Sequence, residues 1–304
     1  MTLLWNAESL WEELEPLLPG LSIEVVPQTA STNTTLLERA RALGEDDTTL
    51  AQVRRSRESA AFGRRAADVL PCLLVAEHQT GGRGRMGRTW SSARGASLTF
   101  SLSLPMGNVD WSGLSLAVGV ALADAIEPRP AAAGPRVGLK WPNDLWLLDR
   151  QTPEALSGRK LGGILIESTT VGRNRLAVIG VGLNVLPLPA GTPAELTTGY
   201  ACLDELDPGI SAPAALGRIA RPLVDALVAF QRDGFPAFME RFAARDLLRG
   251  RAVTTTLADL PEGVAQGIAP SGALLVLTPQ GTVRDVASGE VSVRLQGAAE
   301  DAPC

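Results

Sequence analysis

The stretch GGRGRMGRTW at residues 81–90 decides which nucleotide-binding folds are open to this chain. Its glycines let backbone amides approach a ligand closely, and its arginines offer donors of fixed geometry for a phosphate or a carboxylate. The spacing of three of the glycines formally matches the dinucleotide-binding fingerprint, which must be followed directly by a helix. Here a β-type run follows Thr89 and Trp90, so the sequence excludes a Rossmann fold. We interpret the stretch as a loop that closes over a nucleotide-like anion, with a flexible basic surface loop as the alternative.

Apolar periodicity on both sides of this loop predicts a mixed α/β fold. The predicted strands span 21–26, 72–76, 97–104, 137–141, 144–148, 161–167 and 176–185, and the predicted helices span 114–126, 214–231 and 235–245. A further helix is predicted from a capping box with Thr35 as the N-cap and Glu38 three residues later. That helix start places the polar cluster at 31–33 beside free backbone amides.

The last part of the chain has a different character, because short strands alternate there with Gly, Pro and Asp turns. Such spacing is typical of a small all-β barrel. We therefore predict a large domain over residues 1–249 and a small β domain over residues 250–304. Residues 45–68 are polar and rich in arginine, which predicts an exposed insertion.

Composition narrows the class of protein. The net charge of −5 gives no general attraction to nucleic acid or to an anionic membrane, so we expect neither as a partner. Cys72, Cys202 and Cys304 lie far apart and show neither metal nor disulfide spacing. No apolar run reaches the ~18 residues of a membrane-spanning helix, and the first residues do not read as a signal peptide. The expected location is the cytoplasm.

The candidate chemistry depends on cations rather than on a nucleophile. The chain has one histidine, His78, which we interpret as structural, so we expect no Ser-His-Asp triad. Basic and amide side chains recur instead at predicted strand ends, in KWPND at 140–144, RKLGGILIE at 159–167 and GVGLNV at 180–185. Such a set suits a reaction driven by positioning and charge stabilisation, as in nucleotidyl transfer.

Five motifs taken together resemble those of the biotin protein ligases, also called biotin–[acetyl-CoA-carboxylase] ligases. The motifs are STN at 31–33, GGRGRMGRTW at 81–90, KWPNDL at 140–145, KLGGILIE at 160–167 and GVGLNV at 180–185. They stand in the family's order, and the resemblance covers roughly residues 20–296. It implies an α/β (α+β) fold with a mixed, largely antiparallel, class II synthetase-like sheet flanked by helices, and a small SH3-like C-terminal β-barrel.

The resemblance also implies a reaction in two steps. The carboxylate of biotin would attack the α-phosphate of ATP in the presence of Mg²⁺ and give biotinyl-5′-AMP. A lysine of a biotin carboxyl carrier domain, in acetyl-CoA carboxylase or a related carboxylase, would then attack this mixed anhydride. The glycine loop would retain the adenylate and exclude water. Monomer and homodimer both stay open.

The family's functional residues carry over to matching positions of this chain. The implied catalytic residues are Lys160 and Arg85. The implied biotin-binding residues are Ser31, Thr32, Asn33, Gln79, Arg83, Gly84, Arg85, Lys160 and Gly163. The implied ATP- and adenylate-binding residues are Arg85, Arg88, Trp90, Lys140, Asn143 and Asn184. The expected metal ligand is Asp144.

Three other functions stay open beside this one. A lipoate-using acyl-adenylate ligase would share the fold and much of the site. A biotin-sensing DNA-binding regulator would need an N-terminal helix-turn-helix domain, and too few residues precede Ser31 for one, so we expect a ligase without it. A non-catalytic module that only binds the acceptor is disfavoured by Lys160 and the loop arginines.

Overall fold

The computed structural model describes residues 3–45, 60–62, 70–107, 109–132, 134–150, 156–172, 174–188, 199–289 and 292–295. Most of the insertion predicted at 45–68 lies outside these described residues. The chain divides into two compact units. The first unit comprises Met1–Val109, Gly162–Ala194 and Cys202–Asp225, and the second comprises Asp110–Leu161, Glu195–Ala201 and Ala226–Cys304.

Helices and strands alternate irregularly along the chain. The α-helices are α1 (Ala7–Leu14), α2 (Thr32–Glu45), α3 (Leu114–Ile126), α4 (Ala212–Asp233) and α5 (Met239–Ala243). The strands up to the middle of the chain are β1 (Ser22–Val26), β2 (Ala60–Phe62), β3 (Cys72–Ala76), β4 (Gly82–Arg83), β5 (Thr89–Trp90), β6 (Ser97–Pro105), β7 (Val137–Lys140) and β8 (Asp144–Arg150). The remaining strands are β9 (Leu156–Val171), β10 (Asn174–Asn184), β11 (Ala252–Thr255), β12 (Glu262–Ile268), β13 (Leu274–Leu277), β14 (Val283–Val286) and β15 (Val293–Leu295). Short 3₁₀ turns lie at Arg85–Gly87, Leu203–Glu205 and Phe235–Phe238.

The first unit is built on a mixed sheet with the strand order β2-β1-β3-β6-β10-β9. Strands β1 and β3 run parallel, and the other pairs with a described register are antiparallel. This confirms the mixed, largely antiparallel sheet. Helix α2 packs on it through Leu36 and Leu37, which contact Leu74 of β3 and Val178 of β10. The helix therefore holds its first turn against one face of the sheet.

The start of α2 differs from the prediction. The helix begins at Thr32, and Ser31 takes the capping position, since its Oγ accepts from the Thr34 amide at 3.4 Å and its carbonyl accepts from the Thr35 amide at 2.9 Å. Thr35 is therefore inside the helix and the predicted capping box is wrong. The cause is tertiary: the free amide of Thr32 is satisfied by Oε1 of Gln79 at 2.7 Å, a residue far away in sequence.

The second unit contains the β7–β8 hairpin, with the first residues of β9 next in strand order. Helix α3 is apolar all round and almost wholly buried, as expected for a helix enclosed by its unit. A five-stranded antiparallel sheet with the order β14-β13-β12-β11-β15 follows after residue 250. Its strands confirm the predicted all-β segment, whereas its closure into a barrel and the division into 1–249 and 250–304 stay predictions.

Apart from the start of α2, the predicted helices were right in position with one further difference. The helix expected at 235–245 is a 3₁₀ turn that continues into α5, and α5 ends at Ala243. No helix in the described part of the chain is both long enough and apolar enough to span a membrane.

Candidate active site

The predicted site residues fall into two groups, one in each compact unit. The first group surrounds the start of α2 and the β4–β5 hairpin. The second lies around the β7–β8 turn and the beginning of β9. Because each unit is a body of its own, the two groups are described separately.

A polar network lies at the start of α2, and we call its members Thr32, Asn33, Gln79, Ser101 and Glu167 the polar network. All of them are buried except Glu167, which is about one-fifth exposed. Oε1 of Gln79 accepts from the amide of Thr32 at 2.7 Å and lies 3.1 Å from its hydroxyl. Oγ of Ser101 lies 2.6 Å from Oγ1 of Thr32 and 2.6 Å from Oδ1 of Asn33. Nδ2 of Asn33 donates to the Leu165 carbonyl at 3.1 Å and to Oε2 of Glu167 at 2.9 Å.

The proton direction in this network follows from counting donors. Nδ2 of Asn33 faces two acceptors, so Oδ1 faces Ser101 and can only accept. The Ser101 hydroxyl is the donor that faces Oδ1 of Asn33 and Oγ1 of Thr32, and the Thr32 hydroxyl donates to Oε1 of Gln79 at 3.1 Å. The hydroxyl oxygen of Thr32 is left with acceptor capacity. Gln79 must direct its Oε1 at the Thr32 amide, so its Nε2 donors point the other way, toward Gly82.

Glycines of β10 create the space that this arrangement needs. A Cβ atom on Gly180 would lie 2.3 Å from Oδ1 of Asn33, and a Cβ atom on Gly182 would lie 2.5 Å from Cε2 of Trp90. Gly163 of β9 pairs directly with Gly182 across the antiparallel ladder. Asn184 lies on the same face of β10 and is buried. The glycines of the GVGLN motif therefore leave one face of β10 without side chains. The Asn33 amide and the Trp90 indole pack on that face.

The glycine–arginine stretch is a structured hairpin. Gly82 pairs with Trp90 and Arg83 with Thr89, and the Gly84 amide donates to the Arg88 carbonyl at 2.7 Å. The turn contains the 3₁₀ segment Arg85–Gly87, in which Met86 adopts a φ of 56° and Gly87 a φ of 73°. The stretch thus has a defined hairpin geometry, with Arg83 and Arg88 exposed.

Arg83 ties the hairpin to the polar network. Its Nη1 donates to Oγ1 of Thr34 at 2.9 Å, and its Nη2 donates to Oε1 of Glu167 at 2.5 Å. Ser101 and Glu167 were missed as site residues by sequence reasoning. Glu167 is the last residue of the KLGGILIE motif, which was a usable signal. Ser101 is one of several serines that alternate with apolar residues along β6, and nothing in that pattern distinguished it.

The second group is a charge cluster, by which we mean Lys140, Asp144 and Lys160. Nζ of Lys160 donates to Oδ1 of Asp144 at 2.8 Å, and both side chains are about one-fifth exposed. Nζ of Lys140 lies 4.8 Å from the centre of the Trp146 ring, within range of a cation–π interaction. Asn143 precedes Asp144 in the turn that joins β7 to β8.

The turn that carries this cluster is anchored on both sides. The indole of the buried Trp141 donates to the Gly272 carbonyl at 3.0 Å, in the turn between β12 and β13. The hydroxyl of Ser115, on α3, donates to the Pro142 carbonyl at 2.6 Å. A cis peptide bond joins Trp141 to Pro142. The C-terminal sheet and α3 thus hold the KWPND motif within one unit.

A second ion pair fixes the strand segment before Lys160. Arg159 donates to both carboxylate oxygens of Asp149, at 2.8 and 2.9 Å, and to the Tyr200 carbonyl at 3.0 Å. The side-chain hydrogen bond from Arg159 holds the pKa of Asp149 below its usual value. The backbone of Lys160 pairs with residues 199 and 201 on the other side. The side chain of Lys160 therefore extends from a backbone segment that hydrogen bonds and the neighbouring ion pair hold in place.

The two groups differ in the chemistry that they can perform. The polar network offers matched neutral donors and acceptors, whereas the charge cluster offers cations and a carboxylate without a nucleophile. Among the described residues, no group of three or more His, Cys, Asp or Glu side chains is arranged to hold a metal. Nδ1 of His78 lies 3.1 Å from the Ser92 carbonyl, which gives this histidine a structural contact.

Comparison with known proteins gives concordant matches. Residues 70–184 match the biotin/lipoate A/B protein ligase family, and residues 250–294 match the biotin protein ligase C-terminal domain. The chain is 32% identical over 277 residues to a biotin–[acetyl-CoA-carboxylase] ligase of Mycobacterium tuberculosis, covering 88% of each chain. It is 30% identical over 295 residues to the bifunctional ligase/repressor BirA of Escherichia coli, covering 96% of this chain and 78% of that one.

Solved structures show the same fold. The structure of a biotin protein ligase from Aquifex aeolicus in complex with biotin and ATP matches 90% of this chain and 99% of that one, with a TM-score of 0.64 and 24% identity. A biotin acetyl coenzyme A carboxylase synthetase from Helicobacter pylori, solved with bound biotinylated ATP, matches with a TM-score of 0.53 and 21% identity. At these identities the likeness concerns the fold.

Proposed function

The chain belongs to the biotin protein ligase family, and from this premise we propose that it attaches biotin to a lysine of a biotin carboxyl carrier domain at the expense of ATP. In the first step an oxygen of the biotin carboxylate bonds to the α-phosphorus of ATP, and the bond to pyrophosphate breaks. In the second step the carrier lysine, as a free amine, attacks the acyl carbon. An amide forms, the amine loses a proton, and AMP leaves.

The polar network is the observation that supports biotin as the carboxylic acid substrate. A ureido ring presents N–H donors beside a carbonyl acceptor, and the network presents the complement: an acceptor oxygen on Thr32 and donors on Nε2 of Gln79. The network is buried, so a ligand without matching groups would leave these atoms unpaired at a cost of about 1–3 kcal/mol each. Lipoate has a dithiolane ring with no such groups, so the network favours biotin.

The hairpin supports the role assigned to its arginines and glycines. A Cβ atom on Gly82 would lie 2.3 Å from the Trp90 carbonyl oxygen, so the hairpin needs glycine there, whereas a Cβ atom on Gly84 would lie 3.4 Å from the Arg88 carbonyl oxygen, an ordinary contact. We assign Arg83 and Arg85 to biotin and the acyl phosphate, and Arg88 and Trp90 to the nucleotide side. The structured turn is suited to retaining the adenylate, because an ordered lid excludes water from a reactive anhydride.

The charge cluster suits the phosphoryl chemistry. We assign to Lys160 the stabilisation of negative charge on the biotin carboxylate and the α-phosphate, and to Lys140 and Asn143 contacts with phosphate oxygens. In the described structure Asp144 neutralises Lys160, so the cation is held in place before substrate arrives. Lys160 would exchange this partner for the substrate anions when they bind.

Magnesium enters as part of the nucleotide substrate. Mg²⁺ prefers one or two carboxylates together with phosphate oxygens and water, and a single carboxylate at Asp144 meets that need without a preformed protein cage. Release of Asp144 from Lys160 would make both of its oxygens available. The ion supplies charge neutralisation on the phosphates, while orientation of the acid depends on the protein residues described above.

The acceptor is proposed from the relatives. The Mycobacterium tuberculosis relative is named for acetyl-CoA carboxylase, and we propose the carrier domain of that enzyme or of a related carboxylase as the substrate protein. Residues 250–294 match the family's C-terminal domain, which fits a complete ligase core. Location in the cytoplasm, and the choice between monomer and homodimer, stay predictions.

One experiment tests the proposal as a whole. The protein is incubated with biotin, ATP labelled at the α-phosphate and Mg²⁺, with and without a recombinant carrier domain, and with lipoate in a parallel reaction. We expect labelled biotinyl-AMP without acceptor, and biotinylated carrier with AMP release when the acceptor is present. Formation of lipoyl-AMP in preference to biotinyl-AMP, or no adenylate at all, would refute the proposal.

A further inference from the structure

We propose that Glu167 is a positioning residue, which holds Arg83 and the Asn33 amide in the geometry that biotin requires. The proposal rests on the proposed function and deepens it. Glu167 lies near the end of the KLGGILIE motif on β9, and both of its carboxylate oxygens are engaged by residues predicted to bind biotin. Its side chain is about one-fifth exposed.

The two carboxylate oxygens of Glu167 accept hydrogen bonds from different residues. Oε1 accepts from Nη2 of Arg83 at 2.5 Å, while the other side of the guanidinium donates to Oγ1 of Thr34 at 2.9 Å. Oε2 accepts from Nδ2 of Asn33 at 2.9 Å. One carboxylate therefore links the β4–β5 hairpin to the first turn of α2.

The Arg83 side chain depends on this link for its orientation. It is 45% exposed, so packing alone leaves the long side chain free to sample several rotamers. The contacts with Glu167 and Thr34 restrict the planar guanidinium of Arg83, so its remaining N–H groups keep one orientation. Both contacts have a charged donor, but only Glu167 offers a charged acceptor, which makes its hydrogen bond the stronger of the two.

Glu167 also helps to fix the orientation of the Asn33 amide. Because its carboxylate and the Leu165 carbonyl are both acceptors, the NH₂ end of Asn33 faces them, and Oδ1 is left to accept from Ser101. Glu167 and the Leu165 carbonyl therefore hold the amide of a predicted biotin-binding residue in one orientation.

The variant Glu167→Gln separates the contact with Arg83 from the contact with Asn33. A glutamine keeps one oxygen that accepts from Asn33, and the polar network can persist. Its amide nitrogen would face the guanidinium of Arg83, and two donors cannot bond to each other. We therefore expect loss of the Arg83 contact with little change in fold stability, whereas Glu167→Ala removes both contacts.

The test is a double-mutant cycle on biotin binding, measured by titration calorimetry of the full chain without ATP. Glu167→Gln should weaken the affinity for biotin about tenfold, as expected for loss of one charge-assisted hydrogen bond. Arg83→Ala should weaken it at least as much. If Glu167 acts through Arg83, the double variant should bind within about twofold of Arg83→Ala alone. Effects that multiply, or wild-type affinity in Glu167→Gln, would overturn the proposal.

Steady-state assays of pyrophosphate release supply a second readout. We expect the KM for biotin to rise in Glu167→Gln while kcat changes less, because the substitution removes ground-state orientation of the ligand. The matched control is Glu24→Gln, which removes the carboxylate partner of Arg39 elsewhere in the same unit. The control should keep the wild-type KM. An equal rise in both variants would assign the effect to general destabilisation and contradict the proposal.

Trypsin cleavage after Arg85 and Arg88 tests the link without any ligand. Freed from Glu167, the hairpin should open more often, and Glu167→Gln should be cut several-fold faster than wild type and Glu24→Gln. Equal cleavage rates would overturn the proposal. If the wild-type protein binds no biotin and releases no pyrophosphate, the proposed function fails, whereas the trypsin comparison still decides whether Glu167 holds the hairpin.

Discussion

The polar network of the first unit and the charge cluster of the second differ in the kinds of side chain that they contain and in the kinds of ligand group that those side chains can bind. The network is made of hydroxyls and amides that satisfy one another in one proton direction, with a single carboxylate at its end. The charge cluster is made of two lysines and a carboxylate, of which Lys160 is paired with Asp144 and Lys140 lies over the ring of Trp146. We propose that the neutral groups recognise a neutral ring by geometry, and that the Lys160–Asp144 pair exchanges partners with a phosphate.

The difference has an energetic consequence. A buried network of neutral groups is rigid because every unmade hydrogen bond inside it has a large cost. A partly exposed ion pair such as Lys160–Asp144 is weaker and can be broken by a competing ligand. Specificity should therefore depend mainly on the network and rate mainly on the cluster. Four substitutions test this separation, in order of decreasing expected effect.

Lys160→Ala should give the largest effect, because it removes the cation proposed to stabilise the transition state. We expect pyrophosphate release with biotin to fall by about 10²–10³-fold, the range seen when one electrostatic stabiliser is removed, while the affinity for biotin alone changes little. The measurement is kcat together with a biotin titration. Arg218→Ala, which removes an exposed arginine paired with Asp207, is the control. A near-normal rate in Lys160→Ala would contradict the role of the cluster.

Gly182→Ala should follow, since an added Cβ atom would lie 2.5 Å from the ring of Trp90. The indole must move off the strand, and overpacking of this kind costs about 1–3 kcal/mol. We expect KM for biotin or for ATP to rise by about tenfold or more. Gly217→Ala is the matched control, because that glycine lies within α4 with no atom near its added Cβ, and it should raise stability slightly. Unchanged KM values in Gly182→Ala would show that the bare strand face has no part in binding.

Ser101→Ala should weaken recognition with little effect on rate. The substitution leaves Oδ1 of Asn33 without its donor and removes the hydroxyl that lies 2.6 Å from Oγ1 of Thr32, so two side chains predicted to bind biotin are held less well. We expect the affinity for biotin to fall about tenfold, with kcat at saturation within about twofold. Ser103→Ala, two residues along the same strand face, removes only a 3.5 Å contact to the Cys72 carbonyl and should bind as wild type. An equal loss in both variants would locate the effect in strand packing.

Asp149→Asn should give the smallest effect, and one on stability. The pKa of Asp149 is lowered in the folded protein by its hydrogen bond with Arg159, from an ordinary value of 3.8. The stabilisation is therefore present above that value and is lost as pH falls through the lower folded-state pKa. For a pair exposed to this degree we expect less than about 1 kcal/mol at neutral pH. Urea unfolding between neutral and acid pH should show the difference between variant and wild type shrinking below 3.8; a difference independent of pH would contradict the assignment.

Much of the architecture was accessible from sequence because it depends on local patterns. The strand at Cys72–Ala76 and the helix at Leu114–Ile126 were predicted to the residue, since each is a compact apolar run bounded by polar or proline-containing turns. The C-terminal β segment was recognised from turn spacing. The start of α2 was misplaced because two residues compete as N-cap, and a distant glutamine decides between them.

The site was predicted less evenly. Residues within motifs were found, since STN, GGRGRMGRTW and KWPND each concentrate unusual side chains over a short range. The reason for the glycines of β10 was not visible, because the atoms that need the space come from Asn33 and Trp90. Glu167 was quoted without a role, and Ser101 was overlooked, since a buried serine has no pattern that distinguishes it from others on the strand.

The sequence by itself determined the family, the order of the motifs and the kinds of side chain at the site, because these are properties of short segments. Only the tertiary structure decided which atom donates to which, because proton direction depends on every neighbour of a hydroxyl or an amide at once. It also decided that Trp141 of the KWPND turn is anchored by Gly272, more than a hundred residues later. Local sequence selects the groups, and the packing of distant segments orients them.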